Sequence, residues 1–447
     1  MIGFETIGNA TVTVFDDMPI LCTDPWLTGS PYYGSWSHQQ KIPKTQLDNI
    51  KQCKYVWLSH GHPDHIDEES IKYLTNATFL IPDHYGNRIY NHFHKNFKTI
   101  KVKSDKWLEL SHNIRVKSFS DFNQDAALVI EIMKRDILLN VNDGSLLGWK
   151  HTIKKLIKSY KNRFLLKLVS WGDADMINLY DENNKFILPP YSHKPPLGKR
   201  YNQLLRNFGC NFAIPFSSMH KYTREDSVHM NEYVASINEH KDGFTEENGH
   251  LLPAYVIWDS EKEDYSKIKT EENKCNFSKP ESFGDNYSDQ LDEEDKKLIL
   301  NYFRGFEKLS CYFDFISFKV GSREYNVKLS NRKNNSGIVF EAPRNSLIHS
   351  IKYDIFDDML IGNFMKTTII GKKSLHPYFT PYVTKYGDNG GARSLEDLNE
   401  YFNYYKLNTA NYWIDLLQYK SEAIIRELAG DRSNVVITAK SIKDRFF

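Results

Sequence analysis

A chain of 447 residues with 40% hydrophobic and 14% aromatic side chains has material for two or three domains, each with its own core. Its net charge of +1 offers no basic patch for a polyanion, so nucleic acid is not an expected partner, and no apolar run approaches the ~18 residues of a membrane span. The five cysteines (Cys22, Cys53, Cys210, Cys275 and Cys311) form no C-x-x-C pair and read as free thiols; with no signal-peptide pattern at Met1, a cytoplasmic location is expected.

In chain order, residues 1–27 predict a β-hairpin turning at Asp16 and Asp17 and closing on Asp24-Pro25-Trp26-Leu27. A loop rich in Gly, Tyr and Trp follows over 28–38, from which Trp36 and His38 are candidates to line a pocket or to pack on their own scaffold. Tyr55-Val56-Trp57-Leu58 is a short apolar β-type run. It delivers Ser59-His60-Gly61-His62-Pro63-Asp64-His65, three histidines and an aspartate within six residues, in a chain with 16 histidines overall. On an extended segment His60 and His62 alternate, so both imidazoles can face one ion, while Asp64 and His65 turn to a second position. Imidazole with carboxylate is a ligand mixture that suits Zn, Fe and Mn.

This H-x-H-x-D-H run resembles the metallo-β-lactamase-fold superfamily. The resemblance implies an α/β fold, an αβ/βα sandwich with two divalent metal ions at one edge. It also implies that Asp24 sits behind the metals and orients a ligand histidine, although an Asp-Pro turn is the plain alternative. A further strand, 137–141, ends in Asn142-Asp143-Gly144, where the superfamily places the carboxylate that bridges both metals, matched by Asp143. The strand at 212–216 ends near His220, which matches the late histidine that closes the second metal with Asp64 and His65; His229 is the fallback.

One departure bears on the metal. Most members place a third histidine for the first metal before the bridging aspartate, but no histidine lies between His112 and Asp143. The loop there holds Asp121, the candidate ligand, with Asp125 and His112 as alternates. Two histidines with one carboxylate and open positions are typical of non-haem Fe(II), which favours iron over zinc.

Elsewhere, Asp67 opens a helix with acidic residues in its first turn, 78–82 is a strand, and His84, His92 and His94 read as surface residues. Residues 146–168 predict a basic helix, and 165–175 a strand leading into a loop at the site face. The Pro-rich, basic stretch 186–200 offers Lys199 or Arg200 to an acidic substrate.

The expected domains are a catalytic unit over 1–265, an acidic linker over 266–297, and a C-terminal α+β domain over 298–447. The last predicts a helix from Leu298, a hairpin turning at Gly321, a third strand over 337–343, a helix over 345–353 and a loop at 387–391. The run Ile355-Phe356-Asp357-Asp358-Met359-Leu360-Ile361-Gly362 resembles a segment of the CMP-N-acetylneuraminate hydroxylases, as do Asp24 to Gly29 and Pro215-Phe216. Those hydroxylases carry a Rieske iron–sulfur domain, whose ligand cysteines this chain lacks, so an oxygenase reading needs a separate electron-transfer partner. The function expected is a diiron, O2-dependent hydroxylase or monooxygenase of a small polar molecule. The alternative is a dinuclear hydrolase of an ester, amide or phosphodiester. Asp64 and Asp143 are the candidate catalytic residues in either, and a purely structural metal protein is a weaker third reading.

Overall fold

Two seven-residue strands, Ala126–Ile132 and Asp136–Asn142, are buried at every position, which is sustained only in a sheet covered on both faces. They sit in a seven-stranded sheet ordered His250–Leu251, Phe212–Phe216, Asn162–Leu168, Asp136–Asn142, Ala126–Ile132, Ile114–Ser120 and Trp107–Glu109. The facing sheet has eight strands: Asp264–Lys267, Tyr255–Asp259, Ile2–Ile7, Val12–Asp16, Met18–Thr23, Tyr55–Trp57, Thr78–Pro82 and Thr99–Val102. The structure is a computed structural model describing residues 1–170, 177–189, 192–217, 219–332, 335–414, 416–417, 420–421 and 424.

Between the sheets, Phe4, Val14, Leu21, Trp57 and Leu80 meet Val116, Leu128, Leu138, Phe164 and Ile214 in one core. Helices cover the outer faces. Ile153 and Ile157 of helix Lys150–Ile157, with Tyr201 and Leu205 of helix Leu197–Phe208, pack on Val129, Leu139 and Leu165. On the other side, Ile50 and Phe93 of helices Lys44–Lys51 and Arg88–Asn96 cover Val56, Phe79 and Ile81. The expected αβ/βα sandwich is therefore present.

The C-terminal α+β unit is built on a five-stranded sheet ordered Leu179–Tyr180, Lys366–Ile370, Gly337–Glu341, Phe315–Val320 and Arg323–Lys328. Helices Glu293–Gly305, Arg344–Lys352 and Phe356–Ile361 close its core. Its edge strand comes from the sandwich portion of the chain, since Leu179–Tyr180 pairs with Lys366–Ile370.

Several sequence expectations need correction. The N-terminal hairpin gains a third strand, Ile2–Ile7, antiparallel to Val12–Asp16. The basic helix runs only over Lys150–Ile157, because strand Asn162–Leu168 begins soon after. The loop expected at 387–391 is largely a wide helical turn, Pro381–Asn389. A boundary at residue 265 would cut strand Asp264–Lys267. The 266–297 stretch is held along the sandwich by main-chain bonds, from Lys41 N to Glu271 O (2.8 Å), Asn273 N to Gln39 O (2.9 Å) and Ser278 N to Thr223 O (2.8 Å). Its acidic composition suggests a tether, but paired backbone fixes it. The loop 171–175 and residues 425–447 lie outside the described residues, among which no helix is long and apolar enough to cross a membrane.

Arg224 joins these parts. Its fully buried guanidinium lies 2.7 Å from Asp285 Oδ2 and 2.9 Å from Asp226 Oδ1, donates to Tyr33 O, and stacks over Phe364 of the C-terminal unit. Asp285 also accepts from Ser346 N and Oγ. Arg224→Ala leaves Asp285 buried without its cation, and should lower unfolding free energy by about 3–5 kcal/mol in urea titrations. A loss below about 1 kcal/mol, the range of an exposed ion pair, would contradict this role.

Candidate metal centre

The site lies where the two sheets end. In the first sheet, Met18–Thr23, Tyr55–Trp57 and Thr78–Pro82 run parallel, so Asp24 and the His60–His65 loop leave neighbouring carboxyl ends. In the second, Asp136–Asn142, Asn162–Leu168 and Phe212–Phe216 are also parallel, placing Asp143 and Ser217 at matching ends. Carboxyl ends of parallel strands form crevices because their connecting loops diverge. A register shift between Asn140 and Asn142, with φ 52° at Asn142, bends the second sheet's strand end. The Asn142 side chain there donates to Asp24 Oδ2 at 3.1 Å and accepts from Ser217 Oγ.

Donor atoms of His60, His65 and Asp143 all lie within 4.8 Å of one another. Asp143 Oδ2 is 3.9 Å from His60 Nε2 and 3.5 Å from His65 Nε2, and Asp64 Oδ2 is 3.3 Å from His65 Nε2. His62 Nδ1 faces His60 Nε2 at 2.9 Å. The far nitrogens are held by protein groups. Ser59 Oγ lies 2.9 Å from His60 Nδ1, Asp357 Oδ2 lies 2.9 Å from His62 Nε2, and His65 Nδ1 faces Asn142 Nδ2 at 3.0 Å and Asp24 Oδ2 at 3.5 Å. Asp64 accepts from Tyr32 OH at Oδ1 and from Asn9 Nδ2 at Oδ2. His220 is buried and stacked on Trp36, with ring centroids 3.5 Å apart.

Electrostatics follow from this crowding. Burial and the neighbouring His65 and His62 hold His60 well below the usual imidazole range. Burial also disfavours charge on His65, yet Asp64, Asp143 and Asp24 outweigh it and raise its value well above normal. Burial pushes His220 down to about 3. The two carboxylates 3.3 and 3.5 Å from His65 Nε2 thus favour positive charge on that ring.

The donor set fits divalent metal. Both ring nitrogens of His220 and Oδ1 of Asp143 are buried without a hydrogen-bond partner among the described residues, and imidazole with carboxylate is the chemistry such ions take. His60, His62, Asp64, His65 and Asp143 come together, with His220 close enough to feel the charges of Asp64 and Asp143.

Asp121 is placed differently. Its carboxylate accepts from Asn123 N (2.9 Å), Ser145 Oγ (3.2 Å) and Leu147 N (3.3 Å), and burial with the neighbouring Asp125 pushes it up to about 7. It lies outside the His60, His65 and Asp143 group. The carboxylate beside His62 is Asp357, on helix Phe356–Ile361. Among the alternates, Asp125 faces Lys385 at 3.7 Å, while His112 and His229 are exposed. His84, expected at the surface, is buried with Nδ1 3.1 Å from Tyr405 OH, because the C-terminal helix covers it. His38 is buried and stacked on Trp26, and Arg200 donates to Ser170 O. Sequence reasoning missed Asn142, Tyr32, Asn9 and Asp357 at the site. Only Asn142 and Asp357 carried a signal, as the neighbour of Asp143 and as part of the hydroxylase-like run.

Burial pushes His84 and His220 down to about 3, and His38 and His240 to about 4, against 6.5 for a free histidine. As pH falls from 6.5, the unfolded chain takes up protons that the folded chain refuses, so stability falls. Asp121 and Asp388, both raised to about 7 by burial, oppose this, as do Asp24, Asp358 and His65, which are also raised. The effect is therefore read ring by ring: in NMR titrations of chelator-treated protein the imidazoles of His84, His220, His38 and His240 should stay neutral at about pH 5.5, where a free histidine is mostly protonated. Protonation of these rings near the free-histidine value would contradict their burial.

No protein-family model matches the chain. It is 33% identical over 64 residues to a cytidine monophosphate-N-acetylneuraminic acid hydroxylase from Danio rerio, covering 14% of this chain and 11% of that protein. It is 26% identical over 109 residues to the protein of that name from Asterias rubens, covering 23% and 17%. The matches thus span less than a fifth of these relatives' length. Among solved structures, it is similar to a possible metal-dependent hydrolase from Veillonella parvula (TM-score 0.40, 11% identity, 60% of this chain and 100% of that one). It is also similar to a diiron β-hydroxylase from Streptomyces venezuelae (TM-score 0.37, 13% identity, 60% and 54%) and to a metallo-β-lactamase-fold protein from Bacillus subtilis (TM-score 0.32, 12% identity, 57% and 98%). In motif and architecture the chain resembles metallo-β-lactamase-fold proteins, and in short stretches of sequence the CMP-N-acetylneuraminate hydroxylases.

Proposed function

We propose that this protein is a metal-dependent enzyme with a dinuclear centre, and that its reaction is an O2-dependent hydroxylation of a small polar molecule at two irons. The observation that carries the metal centre is the convergence of His60, His65 and Asp143 donor atoms within 4.8 Å. His60 and His62 would serve the first ion, Asp64, His65 and His220 the second, and Asp143 both. Asp121 remains a candidate for the first ion only if its carboxylate leaves the three donors that hold it.

Two points support iron and oxygenation. No histidine lies between His112 and Asp143 to complete the three-histidine set that a zinc site would more often keep. The curated relatives in sequence are hydroxylases by name. Bound iron would supply the redox chemistry. Hydroxylation consumes O2, two electrons and two protons and releases one water for each C–H bond converted to C–OH, so a separate electron-transfer partner would deliver the electrons. The chain's own contribution is to position the site. Tyr32 and Asn9 fix Asp64, Asn142 and Asp24 fix His65, and Trp36 fixes the plane of His220. Lys385 lies 3.7 Å from Asp125 and offsets part of the local negative charge.

A second reading, metal-dependent hydrolysis, draws on the pair Asp64 and Asp143, which flank His65 Nε2 at 3.3 and 3.5 Å. Two ions held there would lower the pKa of a bound water.

Metal analysis of protein purified anaerobically from cells given both Fe and Zn separates these readings. About two irons per chain, with an absorption band appearing on exposure to O2, is the expected result for a two-metal site. Two zincs with a featureless spectrum would favour the hydrolase, and no bound metal would overturn both. Asp143→Asn should cost more than about 100-fold in metal affinity, beyond the effect of an outer-shell change.

A further inference from the structure

We infer that Asp357 of the C-terminal unit is a positioning residue of the metal centre, acting by holding His62 with its Nδ1 turned toward His60. This rests on the dinuclear reading above. A neutral imidazole carries one N–H, and the carboxylate 2.9 Å from His62 Nε2 is an acceptor that keeps the hydrogen on that nitrogen. The lone pair is then left on Nδ1, which sits 2.9 Å from His60 Nε2. Ser59 Oγ engages the opposite nitrogen of His60. At this distance His60 Nε2 can donate a hydrogen to His62 Nδ1, and when a cation takes the place of that hydrogen the two nitrogens become a two-donor site.

The geometry assigns Asp357 to the outer layer. Its Oδ2 lies on the His62 nitrogen that points away from His60, so it acts through the imidazole. It is also well placed to keep that position. Arg88 of the sandwich donates to the carbonyls of Tyr353, Asp354 and Asp388, clamping the chain just before helix Phe356–Ile361. Phe356 N donates to Asp388 Oδ2 at the start of that helix. The side chain of Asp357 is only 16% exposed, so water competes weakly for its bond to His62. The C-terminal unit thereby contributes to metal affinity 295 positions along the chain from the histidine it orients.

The test compares wild type, Asp357→Asn, Asp357→Glu, His62→Ala and the double variant H62A/D357N. Metal content is read by elemental analysis, affinity by chelator competition with Co(II) and Zn(II), and ligand field by the Co(II) visible spectrum. Asp357→Asn should weaken one of the two metal equivalents about 10–100-fold and alter one Co(II) signature, and Asp357→Glu should recover part of the loss. In the double variant the loss should not exceed that of His62→Ala, because Asp357 acts through His62. Wild-type affinity in Asp357→Asn, or an additive loss in the double variant, would overturn the inference while leaving the dinuclear reading standing. No uptake by wild type would overturn both. Metal-free unfolding of each variant checks the fold, and if Asp357→Asn does not fold, a wild-type affinity in Asp357→Glu and an unaltered Co(II) spectrum would count against the inference.

Discussion

The site depends on one hydrogen bond between the two sheets. Asn142, at the end of a strand in the second sheet, donates to Asp24, which follows a strand of the first, and both stand behind His65. Asp24 also accepts from Ser59 N at 2.7 Å, the residue that starts the histidine run. Burial raises the Asp24 pKa, so these donors are needed to keep a carboxylate there at all. Leaving such a group without its donors would cost more than the net worth of the bonds themselves. The two sheet ends are thus joined where the candidate metal donors converge.

The same logic governs the histidines. Each of His60, His62 and His65 presents one nitrogen to the cluster and has the other against a polar side chain. Outer partners of this kind fix ring orientation, and a donor that is already aimed loses little freedom when it binds. His220 is the exception, since its plane is set by stacking on Trp36 across the two-stranded ribbon of Trp36–His38 and His220–Tyr222. An apolar contact can orient a ring without competing for its nitrogens.

The C-terminal unit belongs to this arrangement through buried charge. Arg224 and Asp285 are both fully buried and join the loop after His220, the 266–297 stretch and helix Arg344–Lys352. Arg88 binds three carbonyls around the helix that carries Asp357. Arg224 and Asp285 pair as buried ions, whereas Arg88 is anchored by main-chain carbonyls. They set where Asp357 sits against His62.

Sequence alone determined several strand ends and the candidate donors on them. His60, His62, Asp64 and His65 were singled out by their spacing after a short apolar run, and Asp143 and His220 by the resemblance of their strand ends to the metallo-β-lactamase-fold superfamily. The two-sheet sandwich was implied by that same resemblance. Tertiary structure decided what lay across the chain. Asp121 had the expected position in sequence, but Asn123 N two residues on, and Ser145 Oγ and Leu147 N from the segment after Asp143, engage its carboxylate. Asp357 stood out only as part of the hydroxylase-like run 355–362, because the pattern of a segment says nothing of a partner nearly 300 residues away. His84 was misread for the same reason, since the helix that buries it, Leu395–Asn408, arrives from the far end of the described chain. Local pattern fixes which donors exist, and only packing fixes which of them meet.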